Sequence, residues 1–348
     1  MSDFRIDKIT NRVGDAGTQI AGISTFSGTS GMVMPGGATE YRGGRGRQVR
    51  AGGRIAPAQR SEMDYVEIAT KGNATDYGDL STGSAYNTSV SSATRGIVQL
   101  GGSPNSSSYS AALEYYTFSS QGGANDFGSL TTGWFNGTAF SSSTRGCFAG
   151  GRTGPAVNVN TIEYVTIAST GDATDFGDYN KGRHHTAACA SPTRGVFGGG
   201  YFEPAYTVQE KDLQYVTIAS KGNSKDFGEM FTGRYRFYGC SNTTRGLYMG
   251  GSFTPSAPTI VSLNTIDYIT IASLGNGQDF GDLTRLAAGP SASASATRGL
   301  CNGGYGPGIV NTIDYVTIAT TGNAADFGDL TQVIFDTAAS SDVHGGLG

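Results

Sequence analysis

A segment of about fifty residues occurs six times in this chain, and that self-similarity limits the possible folds more than any other feature. The copies are MDYVEIATKGNATDYGDL, LEYYTFSSQGGANDFGSL, IEYVTIASTGDATDFGDY, LQYVTIASKGNSKDFGEM, IDYITIASLGNGQDFGDL and IDYVTIATTGNAADFGDL. They align on Tyr65, Tyr115, Tyr164, Tyr215, Tyr268 and Tyr315, in steps of 50, 49, 51, 53 and 47 residues. Before each stands a second block: GRQVRAGG, TRGIVQLGG, TRGCFAGG, TRGVFGGG, TRGLYMGG or TRGLCNGG. These blocks end in glycine pairs, from Gly52–Gly53 to Gly303–Gly304.

Each unit reads as four short strands. RGVFGGG is an apolar run stopped by glycines, and in LQYVTIAS the residues Leu213, Tyr215 and Thr217 alternate with Val216 and Ile218. DFGEM supplies a third strand. A fourth lies in the small-residue stretch before TRG, such as HHTAACAS, and small side chains suit an innermost position where units converge. Four short strands per repeat describe a propeller blade, so the expected fold is all-β, a six-bladed β-propeller. Unit one begins at its second strand, near Arg47–Gly53, while VIFDTAASSDVHGGLG follows the last DFGDL. Phe335–Ser340 is therefore expected to be the innermost strand of the first blade, closing the ring without exposed edges.

An apolar run, Gly-Gly, a variable loop, apolar-x-Tyr and then an aromatic (Tyr77, Phe127, Phe176, Phe227, Phe280 or Phe327) resembles the kelch repeat over residues 42–348. Kelch blades usually carry Trp at that last position, so this is a kelch-like variant. Residues 1–41 do not repeat. Their KITNR start and GISTFSGTSGMVMPGG run are similar to the N-terminal stretch of tail-fibre and other virion proteins of marine bacteriophages, notably cyanophages. That resemblance implies a virion structural protein without enzymatic activity, assembled in the host cytoplasm. Residues 1–41 would be an extended arm attaching to other virion proteins, or to further copies in a homo-oligomer; the plainer reading of this Gly/Ser/Thr-rich stretch is a floppy leader. The propeller of residues 42–348 would present its loops to a host surface glycan or protein. The rival readings are a structural accessory or decoration protein of the capsid or tail, and a propeller hydrolase or lyase acting on polysaccharide.

Composition narrows the partners. Glycine is 55 of 348 residues and charged residues are only 15%, which disfavours a helical protein. A net charge of −4 argues against nucleic acid, which needs a basic face. No apolar run is long enough to span a membrane as a helix, and the polar start is unlike a secretory signal. No cofactor is expected. DFG, where a kinase would hold magnesium, recurs in every unit but the first and has no partner motif, so it reads as framework. Its Asp76, Asp126, Asp175, Asp226, Asp279 and Asp326 are expected to accept turn N–H groups or to pair with the repeat arginines Arg47, Arg95, Arg145, Arg194, Arg245 and Arg298. The GNATD-type loops lack the alternating carboxylates of a calcium loop. His184 and His185, on a strand, would point to opposite faces and could not share a metal. Cys147, Cys189, Cys240 and Cys301 follow the blades and read as buried small hydrophobes.

Departures from the repeat point to function. SPNSSSYSAA, RTGPAVNVN, YFEPAYTVQEKD and SFTPSAPTIVSLN vary between constant strands. So do the connections from blade to blade: Trp134-Phe135-Asn136, Arg183-His184-His185 and Arg234-Tyr235-Arg236. Loops on a rigid frame are where binding concentrates. Trp134, Phe135, Arg183, His184, Arg234, Tyr235 and Arg236 are the candidate ligand-binding residues, on the expectation that they are exposed. The competing reading is that they plug the propeller mouth or fill gaps.

Overall fold

The computed structural model describes residues 46–347, apart from 104–107, 155–156, 203–208 and 257–258, together with two short strands nearer the N-terminus. The chain divides into two compact units, 1–42 and 43–348. In the first, Thr25–Ser27 pairs antiparallel with Gly31–Val33, Phe26 opposite Met32. The rest of residues 1–41, on which the expectation of a docking arm rests, lies outside the described residues.

The second unit is a β-propeller of six antiparallel blades. The fourth blade shows the pattern: from the axis outward it runs Ala187–Ala190, Arg194–Gly198, Asp212–Thr217 and Lys225–Glu229. Both faces of each blade are buried. Phe197, Val216 and Ile218 pack with Phe140, Ile162 and Phe176 of the third blade, while Val196, Leu213 and Phe227 pack with Tyr248, Ile269 and Ile271 of the fifth. Period-two alternation in a strand thus becomes alternation between two neighbouring blades.

The ring closes as the sequence predicts, with a small shift. Ala338–Ser341 is the innermost strand of the first blade, paired with Arg47–Ala51 in a register that sets Gln48 opposite Ser341 and Ala51 opposite Ala338. Phe335 precedes that strand and makes an isolated bridge to Arg54. Asp336 between them is left-handed (φ 53°), which turns the chain into the strand.

Two sets of contacts join each blade to the next. The repeat arginine stacks on the tyrosine of its own blade, with the guanidinium carbon 4.2–5.2 Å from the ring centre. Its Nη1 donates to a backbone carbonyl of the following blade at 2.7–2.9 Å: Arg47 to Phe118, Arg95 to Ile167, Arg145 to Ile218, Arg194 to Ile271, Arg245 to Ile318 and Arg298 back to Ile68. At the outer rim the glycine of each DFG or DYG meets the next blade. A Cβ on Gly177 would lie 2.5 Å from the carbonyl oxygen of Gly222, and one on Gly128 2.5 Å from that of Gly171. Beside this close approach Gly222 N–H donates to Phe176 at 2.8 Å and Ser224 N–H to Asp178 at 2.8 Å, with equivalents at every interface.

The aspartate of DFG does not do what was expected of it. Asp76, Asp126, Asp175, Asp226, Asp279 and Asp326 are exposed on the outermost strands. Like charges there keep an unpaired strand edge from pairing with another molecule. The acceptor of a rim N–H is instead the Asn or Asp of the following loop: Asn223 Oδ1 accepts from Asp178, Asn276 from Glu229 and Asn73 from Asp329. The acid that joins blades is the residue before the repeat tyrosine. Glu163 accepts from Thr131 N–H at 3.0 Å, and Asp64 from Thr331 Oγ1 at 2.7 Å.

Along the axis the innermost strands leave a channel lined by small residues, including Ser89, Ala139, Ala188, Gly239, Ala292 and Ala339. The last residues seal one end. His344 donates from Nε2 to the Ser91 carbonyl at 2.9 Å and accepts the Gly346 N–H at Nδ1 at 3.0 Å. Gly345 and Gly346 lie so close to the carbonyls of Asn242 and Ser141 that no side chain fits at either position. Tyr238 reaches across the channel from the fifth blade, its hydroxyl 3.4 Å from the Asn87 carbonyl oxygen beside the second.

The expected consequence is that a chain ending at Ile334 gives insoluble protein or a sharply lower melting temperature, since it loses a strand and opens two edges. A chain ending at Asp342 should keep the ring and melt only slightly lower. Gly177→Ala should also destabilise by roughly 2 kcal/mol or more, because the collision is with backbone and φ is 147°. Thermal melts of the four proteins check all three expectations, and an unchanged midpoint for the Ile334 truncation would place closure elsewhere.

Candidate functional site

The glycine-pair loops and the blade-to-blade connections open on the same face of the propeller. Within a blade, a connection residue bridges the start of a glycine-pair loop: Phe135 with Arg152, His184 with Tyr201, Tyr235 with Ser252, Ala288 with Tyr305 and Phe335 with Arg54. These bridges extend the two inner strands toward the face and draw both variable segments to the axis.

Each connection passes through a left-handed residue just before the innermost strand. The set is Tyr86, Asn136, His185, Arg236, Gly289 and Asp336, with φ between 53° and 62°. Glycine is the usual occupant of that conformation, and five of the six positions carry a side chain instead. Neighbours hold them in place: Tyr86 N–H donates to Asp336 at 2.7 Å, His185 to Asn136 at 2.6 Å, Gly289 to Arg236 at 2.7 Å and Asp336 to Gly289 at 2.7 Å. The six residues therefore encircle the axis and form the floor of a mouth.

Aromatic rings form its wall. Tyr109 stacks on Phe135 at 4.9 Å, Tyr86 meets Phe135 edge-on at 5.5 Å, and Tyr201 lies 4.1 Å from Tyr235. Tyr305, 45% exposed, lies 5.9 Å from Phe335. Charge is concentrated at one point of the floor. Arg54 Nε and Arg236 Nη2 both donate to Asp336 Oδ2, at 2.9 and 2.7 Å. The Arg54 guanidinium lies 4.8 Å from the Tyr86 ring and 4.4 Å from Phe335. Asp336 is buried, whereas the side chains of Arg54 and Arg236 keep 19% and 22% of their surface exposed.

The seven residues singled out by sequence separate into three layers. Trp134, Arg183 and Arg234 occupy the outer one and are buried. Trp134 fills the space over Gly151; Arg183 pairs with Asp212 through Nη1 at 2.6 Å, and Arg234 with Asp267 at 3.2 Å. Phe135, His184 and Tyr235 form the middle layer, 7%, 2% and 5% exposed. Only Arg236 reaches the floor. The expectation of exposed side chains is thus overturned for six of the seven: the connections dive toward the axis, so their bulky groups fill gaps between blades. Sequence reading missed Tyr86, Asp336 and Arg54 as parts of the mouth. For Tyr86 and Asp336 a signal was available, since they share with Asn136, His185 and Arg236 one alignment column directly before the small-residue strand; Arg54 lies outside it, just after the first glycine pair.

His184 and His185 also depart from expectation. His185 is left-handed rather than extended, so the two rings lie 4.9 Å apart instead of on opposite faces. Burial and the nearby Arg152 push His184 down to about 3; burial, then His184, Arg236, Arg152 and Arg54, hold His185 well below its ordinary value. His344 in the channel plug is lowered to about 4 by burial. The four cysteines are buried and free, as read from sequence, and burial pushes Cys147, Cys189 and Cys301 up to about 12. Among the described residues no three His, Cys, Asp or Glu groups are placed to hold a metal ion.

Two outcomes follow from this packing. Trp134→Ala should cost about 3–5 kcal/mol of stability, as for a buried aromatic, which a denaturant titration would read as a shifted midpoint. All three histidines are neutral in the fold but titrate near 6.5 when unfolded. Their stabilisation is present above about pH 6.5 and is lost as pH falls toward 4, where the unfolded chain binds the protons first. The melting temperature should drop on the order of 5 °C or more across that window. His344→Gln should flatten part of the slope, and a flat profile in the parent protein would contradict the assignment. No protein-family model matches the chain, and no curated protein is similar to it.

Proposed function

We propose that the chain is a bacteriophage virion protein, a non-enzymatic tail-fibre or tail-tip component that presents one propeller face to a glycan or protein of the host surface. In this reading residues 1–41 attach to neighbouring virion proteins. The observation that carries the recognition role is the contrast between the two faces. One carries the six-fold arginine, tyrosine and loop contacts almost without change from blade to blade. The other carries the blade-to-blade connections and the described parts of the glycine-pair loops, with an aromatic mouth and two partly exposed arginines. Constancy on one face suits a frame, and variation on the other suits selection by a partner. The virion assignment rests on the likeness of residues 1–41 to the N-terminal stretch of phage tail-fibre and other virion proteins.

Labelling purified particles with an antibody against the propeller should mark the tail end, and soluble propeller should slow adsorption to host cells. Label on the capsid would replace this reading with that of a decoration protein. Absence from particles would remove it altogether.

A further inference from the structure

We infer that the floor of the axial mouth is a binding site for the carboxylate of an acidic sugar, with Arg54 and Arg236 as the anchoring groups. This rests on the surface-recognition reading and names the ligand class of that face.

Donors outnumber acceptors at the floor. Two guanidinium groups converge on a single carboxylate oxygen, Asp336 Oδ2. Asp336 Oδ1 is turned toward Gly289, where any side chain would collide with it. Arg54 contributes only its Nε to the protein, and Arg236 only its Nη2. The two Nη groups of Arg54 and the Nη1 of Arg236 have no hydrogen-bond partner among the described residues, and the Arg236 Nε is buried without one. Asp336 offsets one of the two positive charges, leaving the floor cationic in a chain whose net charge is −4.

These groups are fixed in advance. Arg54 is held between the Tyr86 and Phe335 rings, and Arg236 lies 6.0 and 5.8 Å from the same two. Stacking of this kind orients the planar fork and reduces what binding would lose in side-chain freedom. The unspent Arg54 fork matches the two oxygens of a carboxylate. The half-exposed Tyr305 beside Phe335 offers a ring to the apolar face of a pyranose. His185, paired with Asn136 at 3.2 Å, adds a polar group for sugar hydroxyls. A ligand with a planar anion and an adjoining ring thus suits the unpartnered Nη groups and the half-exposed Tyr305 ring.

The test uses the full chain and a panel of galacturonate, glucuronate and sialyl oligosaccharides with neutral counterparts of equal length, read by ligand-detected NMR and calorimetry. At least one acidic member should bind, its neutral counterpart should not, and inorganic phosphate at equal ionic strength should fail to displace it. Arg54→Gln and Arg236→Gln should each weaken binding about tenfold or more. Asp336→Asn should strengthen it, because it removes the internal competitor for the same donors. A purely structural network would instead show all three variants losing binding together with melting temperature. Equal binding of acidic and neutral sugars, displacement by phosphate, or no binding by any acidic member of the panel to the unaltered protein would overturn the inference. None of these results bears on whether the chain sits on a particle, which the labelling experiment decides separately.

Discussion

Every blade interface depends on an arginine that makes two different contacts at once. Its flat face lies on the tyrosine of its own blade, and its edge donates to a main-chain carbonyl of the next. The carbonyl is one that a strand end leaves without a partner, so the bond satisfies a polar group that would otherwise be poorly paired. The stacked ring keeps the long side chain extended toward its target. Because the pattern repeats at each interface, including Arg298 to Ile68 across the closure, the chain's ends are joined by the same chemistry as its interior. Lysine could supply the charge but not the flat stacking surface or the fixed edge.

The same economy explains the glycine of DFG. At the rim, blades approach until two main chains touch, and that contact is stabilised by pairs of backbone hydrogen bonds rather than by side chains. The triplet is therefore a packing rule: an aromatic buried in the blade, a glycine where the neighbour comes closest, and an exposed carboxylate that guards the edge. Closeness at the rim and smallness at the axis are complementary. Inner strands converge on Ser, Ala, Gly and Cys, and serines such as Ser141 and Ser241 reach across to the preceding blade's carbonyls at 3.0 and 2.7 Å.

Period and alternation carry the fold almost completely, because a repeated unit states its rules six times. The number of blades, the order of strands within them, the small-residue inner strand and closure by the last strand were all legible. What a repeat does not state is which of two equivalent acids makes a contact. Asp175 in DFG recurs in all six units and Glu163 before the repeat tyrosine has an acidic counterpart in every other unit but the fourth, which carries Gln214, and only the geometry shows that the first faces solvent while the second accepts an N–H from the blade before it. The site was less legible for a different reason. Bulky residues in a variable connection look like surface groups, but a left-handed turn sends the chain inward, so Trp134 and Arg234 become filling. The backbone conformation that does this is marked by no glycine in five of six blades, which hid it from a reading based on turn residues.

Closure and the mouth are physically coupled. Asp336 stands two residues before the strand that completes the first blade, and Arg54 follows the first glycine pair, 282 positions away in the chain. Their ion pair forms only once the last strand is seated, and Arg236 joins them from another blade-to-blade connection. The charged floor is thus built beside the first blade, the one whose two inner strands come from opposite ends of the propeller sequence. The frame does not require this cluster: the column of Arg236 and Asp336 holds Tyr86, Asn136, His185 or Gly289 elsewhere, and that of Arg54 holds Arg152 but also Tyr201, Ser252 and Tyr305. The asymmetry of the charge belongs to the side chains, whereas the four-strand core of the blade recurs six times. A frame of this kind can therefore change what its mouth holds without changing how it folds, provided that the arginine staples, the rim glycines and the closing strand are kept.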